Sequence, residues 1–198
     1  MKLRFQKSGI EAGCDEAGRG CLAGPVSAAA VILPESISLP TFLRDSKVLE
    51  PETRKEAAQW VEQKALYWCV AYCSPAEIDK WNILQASFQA MHRALDGVPV
   101  VPHRILVDGN RFLPYKNIEH HCIVKGDDKF ASIAAASILA KVYRDRLMEM
   151  WHLDYPHYDW VNNKGYPTAK HVEGLEQNGK TEIHRLSFHL KSKQLSLF

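Results

Sequence analysis

No run in this sequence is apolar for long enough to span a membrane. The basic residues between Met1 and Gly9 are not followed by the apolar stretch of a secretory signal. A cytoplasmic protein is the expectation. Net charge is only +2 over 198 residues, too small to mark a nucleic-acid binder, so any electrostatic footprint must be local. Cysteine is scarce: Cys14, Cys21, Cys69, Cys73 and Cys122 are odd in number and show no paired metal spacing. That excludes a disulfide scaffold and points to reduced thiols. Cys69 and Cys73 fall on one strand, on the same face but about 13 Å apart, beyond the reach of a disulfide. What remains, 46% hydrophobic and 24% charged residues, suits one globular domain with a full core.

The chain is organised around Gly13 to Pro25, Gly-Cys-Asp-Glu-Ala-Gly-Arg-Gly-Cys-Leu-Ala-Gly-Pro. Adjacent carboxylates, Asp15 and Glu16, precede Gly18-Arg19-Gly20. The following run, Val26 to Leu33, is small or apolar throughout and reads as a buried strand. A hairpin follows, with the acids at the end of its first strand. The glycines would let backbone approach a ligand closely. Neighbouring residues on a strand point to opposite faces, so the two acids share a site only if the strand ends or bends there. A metal-binding acid pair beside an anion-binding loop competes with a solvated acidic turn balanced by Arg19.

Asp45-Ser46-Lys47 leads to a helix from Pro51 to about Leu66, with Pro and acids in its first turn. Tyr67 to Cys73 is aromatic and β-branched enough for a strand. Ser74 and Glu77 form a capping-box pattern, and a second helix is expected from Trp81 to Leu95, with Gly97 beyond its end. Asn82 is a candidate substrate contact. Ile105-Leu106-Val107 is a short buried strand ending on Asp108-Gly109, the kind of strand end where α/β sheets place ligand-binding groups. Ile118 to Val124 is another strand. Its His120-His121 pair faces two ways and makes a poor zinc site. Lys125-Gly126-Asp127-Asp128 enters a long helix from Phe130 to about Trp151, whose small face, with Ala134 and Ser137, would pack close to a sheet. Lys141 and Arg144 share a face of that helix. Lys164-Gly165-Tyr166 can present an aromatic ring for stacking, and Thr168 to about Gln177 is a last helix. Four acids, Asp15, Glu16, Asp108 and Asp127, thus sit at element ends. Gathered together they would repel unless divalent cations neutralised them, and carboxylates alone select hard ions such as Mg²⁺ or Mn²⁺.

Over nearly its whole length the chain resembles the ribonuclease HII family, the type 2 ribonucleases H. The shared segments are Asp15-Glu16-Ala17-Gly18-Arg19-Gly20 with Gly24-Pro25-Val26, Asp45-Ser46-Lys47, Val107-Asp108-Gly109, Lys125-Gly126-Asp127, Ala135 to Val142, Lys164-Gly165-Tyr166 and His184-Arg185-Leu186-Ser187-Phe188. The resemblance implies an α/β fold, a ribonuclease-H-like mixed β-sheet flanked by helices with a helical C-terminal part, spanning residues 1–188. It implies endonucleolytic cleavage of RNA in RNA–DNA hybrids and of single ribonucleotides embedded in duplex DNA, leaving 3′-hydroxyl and 5′-phosphate ends. Carried over by position, Asp15, Glu16, Asp108 and Asp127 would be the catalytic metal ligands, with Mn²⁺ or Mg²⁺. Gly18, Arg19 and Gly20 would read the 2′-hydroxyl, the group that tells RNA from DNA. Tyr166 would stack on the deoxyribose beyond it, and Lys47, Lys141 and Arg144 would contact the nucleic acid. Asp128 is a second acid that could compete with Asp127.

The end of the chain, residues 189–198, reads as a tail. Gln194, Leu195, Leu197 and Phe198 resemble the short motif that hooks bacterial replication proteins to the sliding clamp, and a clamp contact through them competes with their folding back on the catalytic domain. The enzyme is otherwise expected to be a monomer. Three alternatives remain: a ribonuclease HIII-like nuclease restricted to hybrids, against which Arg19 between two glycines speaks, a non-catalytic nucleic-acid-binding relative, and a metal-dependent DNA resolvase on a similar fold.

Overall fold

The computed structural model describes residues 1–43 and 49–189. Lys47 with its Asp45-Ser46 neighbours, and the tail residues Gln194, Leu195, Leu197 and Phe198, lie outside the described residues. In chain order the elements are β1 (Glu11–Ala17), β2 (Val26–Ile32), α1 (Pro51–Lys64), β3 (Tyr67–Cys73), α2 (Pro75–Trp81), α3 (Ile83–Asp96), β4 (Arg104–Asp108), β5 (Glu119–Ile123), α4 (Gly126–Lys129), α5 (Ala131–Asp154), α6 (Trp160–Asn163) and α7 (Ala169–Asn178). They form a five-stranded mixed sheet in the order β3-β2-β1-β4-β5. β1, β2 and β3 pair antiparallel, and β4 and β5 run parallel to β1. No helix among the described residues is long and apolar enough to cross a membrane.

Strand alternation divides the core in two. Val26, Ala28, Ala30 and Ile32 of β2 join α3 residues such as Ala90, Met91 and Ala94 on one face. Ala29 and Val31 meet Ala57, Val61 and the α5 residues Ala134, Ala135 and Ile138 on the other. Both faces of β2 are buried, which is why it reads as a continuous run of small and apolar residues. Alanine carries little surface, so each such contact stabilises less than a Leu or Ile would, but it lets the helices lie close. Ten consecutive residues of α5, Ala131 to Ala140, are buried.

Two helix boundaries differ from the sequence expectation. The helix placed from Trp81 to Leu95 is broken at Asn82, which holds a positive φ of 68° between α2 and α3. Its Oδ1 accepts from the backbone N–H groups of Leu84 (3.0 Å) and Gln85 (3.2 Å). Asn82 is therefore the cap of α3, satisfying donors that a helix start leaves unpaired. The second boundary is at Phe130, which is extended (φ −126°, ψ 130°) and separates α4 from α5. Phe130 packs with Leu106 and Ile133, while Lys2 takes backbone bonds on both sides of it, from Lys2 N–H to Lys129 (2.8 Å) and from Ala131 N–H to Lys2 (2.9 Å). Asp127 consequently sits on a separate short turn, not on the long helix.

Gly13 sets how near α5 comes to the sheet. A Cβ placed there would lie 2.2 Å from the carbonyl carbon of Ser132 and 2.4 Å from its oxygen. Backbone cannot yield as a flexible side chain does. Gly13→Ala is expected to destabilise the fold at the upper end of the about 1–3 kcal/mol of overpacking. It should also weaken divalent-metal binding, because α5 carries a group that supports Asp15. Urea unfolding and metal-induced stabilisation of the variant measure the two effects.

Candidate metal centre and active site

The topology collects the acids. β1 and β4 pair in parallel up to Cys14 opposite Val107, so the next residue on each strand, Asp15 and Asp108, ends up side by side. Asp108 in turn lies opposite Ile123 of β5, and the chain leaving β5 reaches Asp127 four residues later. Three adjacent parallel strands thus deliver an aspartate to one edge, the carboxyl edge where such sheets bind ligands. One oxygen from each of Asp15, Asp108 and Asp127 lies within 4.8 Å of the others. Asp15 and Asp127 are buried, and Asp128 is exposed.

Each carboxylate is oriented from its own surroundings. Asp108 Oδ1 accepts from the Gly126 N–H (2.7 Å), which ties the β4 end to the α4 turn. Asp15 Oδ1 accepts from the Glu16 N–H (2.7 Å), and the Ser137 hydroxyl of α5 donates to the same carboxyl. The Asp15 carboxyl is nevertheless held well above the usual carboxylate range, first by burial and then by the negative charges of Glu16 and Asp108. Such a cluster calls for a cation. Its all-oxygen donor set fits a hard divalent ion and does not fit zinc.

Glu16 sits differently. Adjacent strand residues face opposite ways, and Glu16 opens into a cleft of about 290 Å³ that it shares with Arg19, Asp108, Arg111 and the α3 residues Ser87 and Phe88. Arg19 Nη1 lies 3.1 Å from Glu16 Oε1. Asp108 at the strand end borders both this cleft and the aspartate group, so Glu16 approaches the centre from the far side of the sheet.

The loop after β1 is held from below by two buried arginines. Arg185 donates from Nε to Gly24 O (2.9 Å), from Nη1 to Arg19 O (2.9 Å) and from Nη2 to Gly18 O (2.7 Å) and Pro25 O (3.1 Å). Arg144 donates to the carbonyls of Pro25 (2.9 Å), Ala23 (2.9 Å) and Lys164 (2.7 Å). Both residues are fully buried. Burial lowers the Arg185 guanidinium to about 10, so it stays charged at neutral pH. Arg144 is therefore a correction: it is fully buried and faces inward as a brace, donating to three backbone oxygens, so it does not stand on the surface as a nucleic-acid contact. Gly18 has φ +90°, and a Cβ there would lie 2.0 Å from Arg144 Nε, so the missing side chain makes room for the chain's own arginine. At Gly20 the space is open, and the nearest atom to such a Cβ is Tyr166 Cε1 at 3.9 Å.

Tyr166 is 40% exposed, and Lys141 Nζ lies 5.8 Å from its ring centre while pairing with Asp145 at 2.7 Å. A chain of buried imidazoles fixes the Tyr166 backbone. Thr181 N–H donates to His184 Nδ1 (3.0 Å), so His184 carries its proton on Nε2 and gives it to His171 Nε2 (3.1 Å). Trp160 Nε1–H donates to that same His171 nitrogen (3.1 Å). His171 therefore holds its proton on Nδ1 and donates to Tyr166 O (2.9 Å). Ser137, Arg185 and the His171–His184 pair were not singled out as site residues from the sequence. Ser137 had a signal as a polar residue in an alanine-rich run, whereas nothing local marks Arg185 as buried.

A family model described as Ribonuclease HII matches residues 12–191. The chain belongs to the ribonuclease HII family. It is 54% identical over 198 residues to the ribonuclease HII of Parabacteroides distasonis, covering 100% of this chain and 99% of that one. The structure of the PCNA:RNase HII complex from Archaeoglobus fulgidus superposes with a TM-score of 0.78 at 25% identity, covering 96% of this chain and 100% of that one. Bst-RNase HIII in complex with Mn²⁺ shares the fold, with a TM-score of 0.68 at 19% identity over 95% of this chain and 70% of that one. As a ribonuclease HII, the chain is a ribonuclease H, a divalent-metal-dependent hydrolase.

Two measurements probe the support of this site. Arg185→Lys keeps the charge but cannot span four carbonyls, and it should cost about 3 kcal/mol, a drop in Tm of roughly 6–12 °C. The second concerns pH. Burial pushes His184 down to about 4, whereas in the unfolded chain it protonates near 6.5. The unfolded state then binds the extra proton, so stability falls as pH drops from about 6.5 to 4. The Tm difference between the protein and His184→Gln should shrink over that window.

Proposed function

We propose that this ribonuclease HII cleaves the RNA strand of RNA–DNA hybrids and single ribonucleotides embedded in duplex DNA. The observation that carries the reading is the three-aspartate group at the carboxyl edge, a loop's length from Gly20 and Tyr166. Asp15, Asp108 and Asp127, with Glu16 from the opposite face, would hold Mn²⁺ or Mg²⁺. When bound, such ions supply activation of the attacking water and stabilisation of the leaving oxygen in an in-line displacement. Water adds to phosphorus, the bond from phosphorus to the 3′ oxygen breaks, and that oxygen takes up a proton. The products are a 3′-hydroxyl and a 5′-phosphate.

The chain's own residues would provide selection. Gly18-Arg19-Gly20, braced by Arg144 and Arg185, would read the 2′-hydroxyl through backbone groups, and Tyr166 would lie against the deoxyribose that follows. Lys141, over the Tyr166 ring, would meet a phosphate, as would Lys47. The biological setting is removal of ribonucleotides during DNA replication and repair, by a cytoplasmic monomer with a catalytic domain over residues 1–188. Residues 189–198 would tether it to a sliding clamp. The archaeal relative solved in a PCNA complex supports that tether, which would raise the enzyme's local concentration on DNA.

The test is cleavage of a duplex holding one ribonucleotide, with Mg²⁺ or Mn²⁺, beside an all-DNA duplex and the Asp15→Asn variant. A cut on the 5′ side of the ribonucleotide is expected. Asp15→Asn should lower kcat by more than the about 10–100-fold typical of a residue that only supports a metal ligand. Cleavage confined to long hybrids would indicate ribonuclease HIII-like specificity. Binding without any cleavage would sink the catalytic reading.

A further inference from the structure

Between the start of α1 and the middle of α5 runs a groove of about 410 Å³ lined by Arg54, Lys55, Lys141, Arg146 and Lys164. Against these five cations stand two lining acids, Asp145 and Glu149. Among the described residues the lining carries +3, more than the +2 of the entire 198-residue chain. Charge this concentrated is the local footprint that a nearly neutral sequence conceals.

The details favour a chain of phosphates as the occupant. Each acid is engaged by a lysine, Asp145 by Lys141 (2.7 Å) and Glu149 by Lys164 (2.8 Å). The side chains of Lys55 and Arg146 are 56% and 48% exposed. Their ion pairs, to Glu52 at 2.9 Å and Glu62 at 3.9 Å, are of the weak, solvent-screened surface kind. An incoming anion can displace them. No aromatic side chain among the described residues lines the groove, so a base has no ring there to stack on, and the chemistry selects backbone over base. One wall, Lys141, is also the lysine over the Tyr166 ring. The groove thus starts where the nucleic acid would leave the site.

We propose that this groove receives the phosphodiester backbone of the DNA flank that leaves the centre past Tyr166. The proposal rests on the reading of Tyr166 given above. Lys55 and Arg146 are its outer contacts, and they act on any duplex whether or not it holds a ribonucleotide. Each phosphate contact releases condensed counterions, so it adds about 0.9 to the steepness of log affinity against log salt.

The experiment is a salt titration of binding to an all-DNA duplex by the full chain and two double variants. Lys55→Gln/Arg146→Gln removes two groove cations. Lys7→Gln/Lys116→Gln removes the same charge elsewhere. The groove variant should bind several-fold more weakly at low salt, with a slope shallower by about 1.8, and the control should keep the parent slope. Lys55→Gln alone should lose about half of that difference. In cleavage of ribonucleotide-containing duplexes, the groove variant should raise KM when a long DNA flank lies past Tyr166. It should not do so when the duplex ends there. Equal slopes for the groove and control variants would overturn the proposal, including the case where the groove takes an acidic protein segment. Failure of the parent protein to cut any ribonucleotide-containing duplex would instead overturn the functional reading, while the titration would still decide the groove.

Discussion

Like charge forced together is the constraint from which this structure follows. Two neighbouring parallel strands and the short turn that follows a third each bring an aspartate to one edge, and burial removes water that would otherwise screen them. A carboxylate cluster in such a place is unfavourable unless cations, hydrogen bonds or protons relieve it. The fold supplies the hydrogen bonds through the Glu16 and Gly126 amides and the Ser137 hydroxyl. Ser137 reaches Asp15 only because α5 lies against β1, and α5 lies there because Gly13 has no side chain. A methyl group missing on one strand thus lets a hydroxyl of α5 reach a carboxylate two positions away.

The same economy of space organises the substrate side. The loop from Gly18 to Pro25 has few side chains with which to hold itself, and its shape is imposed from beneath. Arg144 comes from the long helix and Arg185 from the end of the described chain, and both are spent on loop carbonyls. The C-terminal third is therefore part of the site and not an appendage to it. The imidazole pair extends the linkage, joining Thr181 through His184 and His171 to the backbone of Tyr166. Buried polar groups of this kind are tolerable only when every donor finds an acceptor, and a single consistent set of proton positions achieves that here.

Much of this was legible in the sequence, and the remainder was hidden for physical reasons. The strand from Tyr67 to Cys73, the hairpin of β1 and β2, and the Ser74 capping box were readable because each depends on local pattern. The sequence placed four acids at element ends and the family resemblance grouped them; the structure brings Asp15, Asp108 and Asp127 together, and Asp127 is buried where Asp128 is exposed. The breaks at Asn82 and Phe130 were not readable. The first is set by a positive φ inside an apolar periodicity that continues across it, and the second by pairing with Lys2, more than a hundred residues away. Arg144 was misread for a similar reason. Three residues from Lys141 it shares a helix face, but spacing cannot say that a glycine on a distant loop has vacated the space for its guanidinium.

The arginine brace also sets the polarity of the loop. In a trans peptide the N–H points opposite to the C=O of the same plane, and none of the described peptides is cis. The carbonyls of Gly18 and Arg19 are turned down onto Arg185. The amides of Arg19 and Gly20, which share those planes, are thereby turned up. Two guanidinium–carbonyl bonds in the interior thus fix the outward face of the loop as a donor face, with its partial positive charge directed at whatever electron-rich oxygen is brought to it. The ion that stabilises this arrangement never touches that oxygen. It acts by orienting dipoles from the rear, in addition to the exposed Arg19 guanidinium that the same loop sets against Glu16.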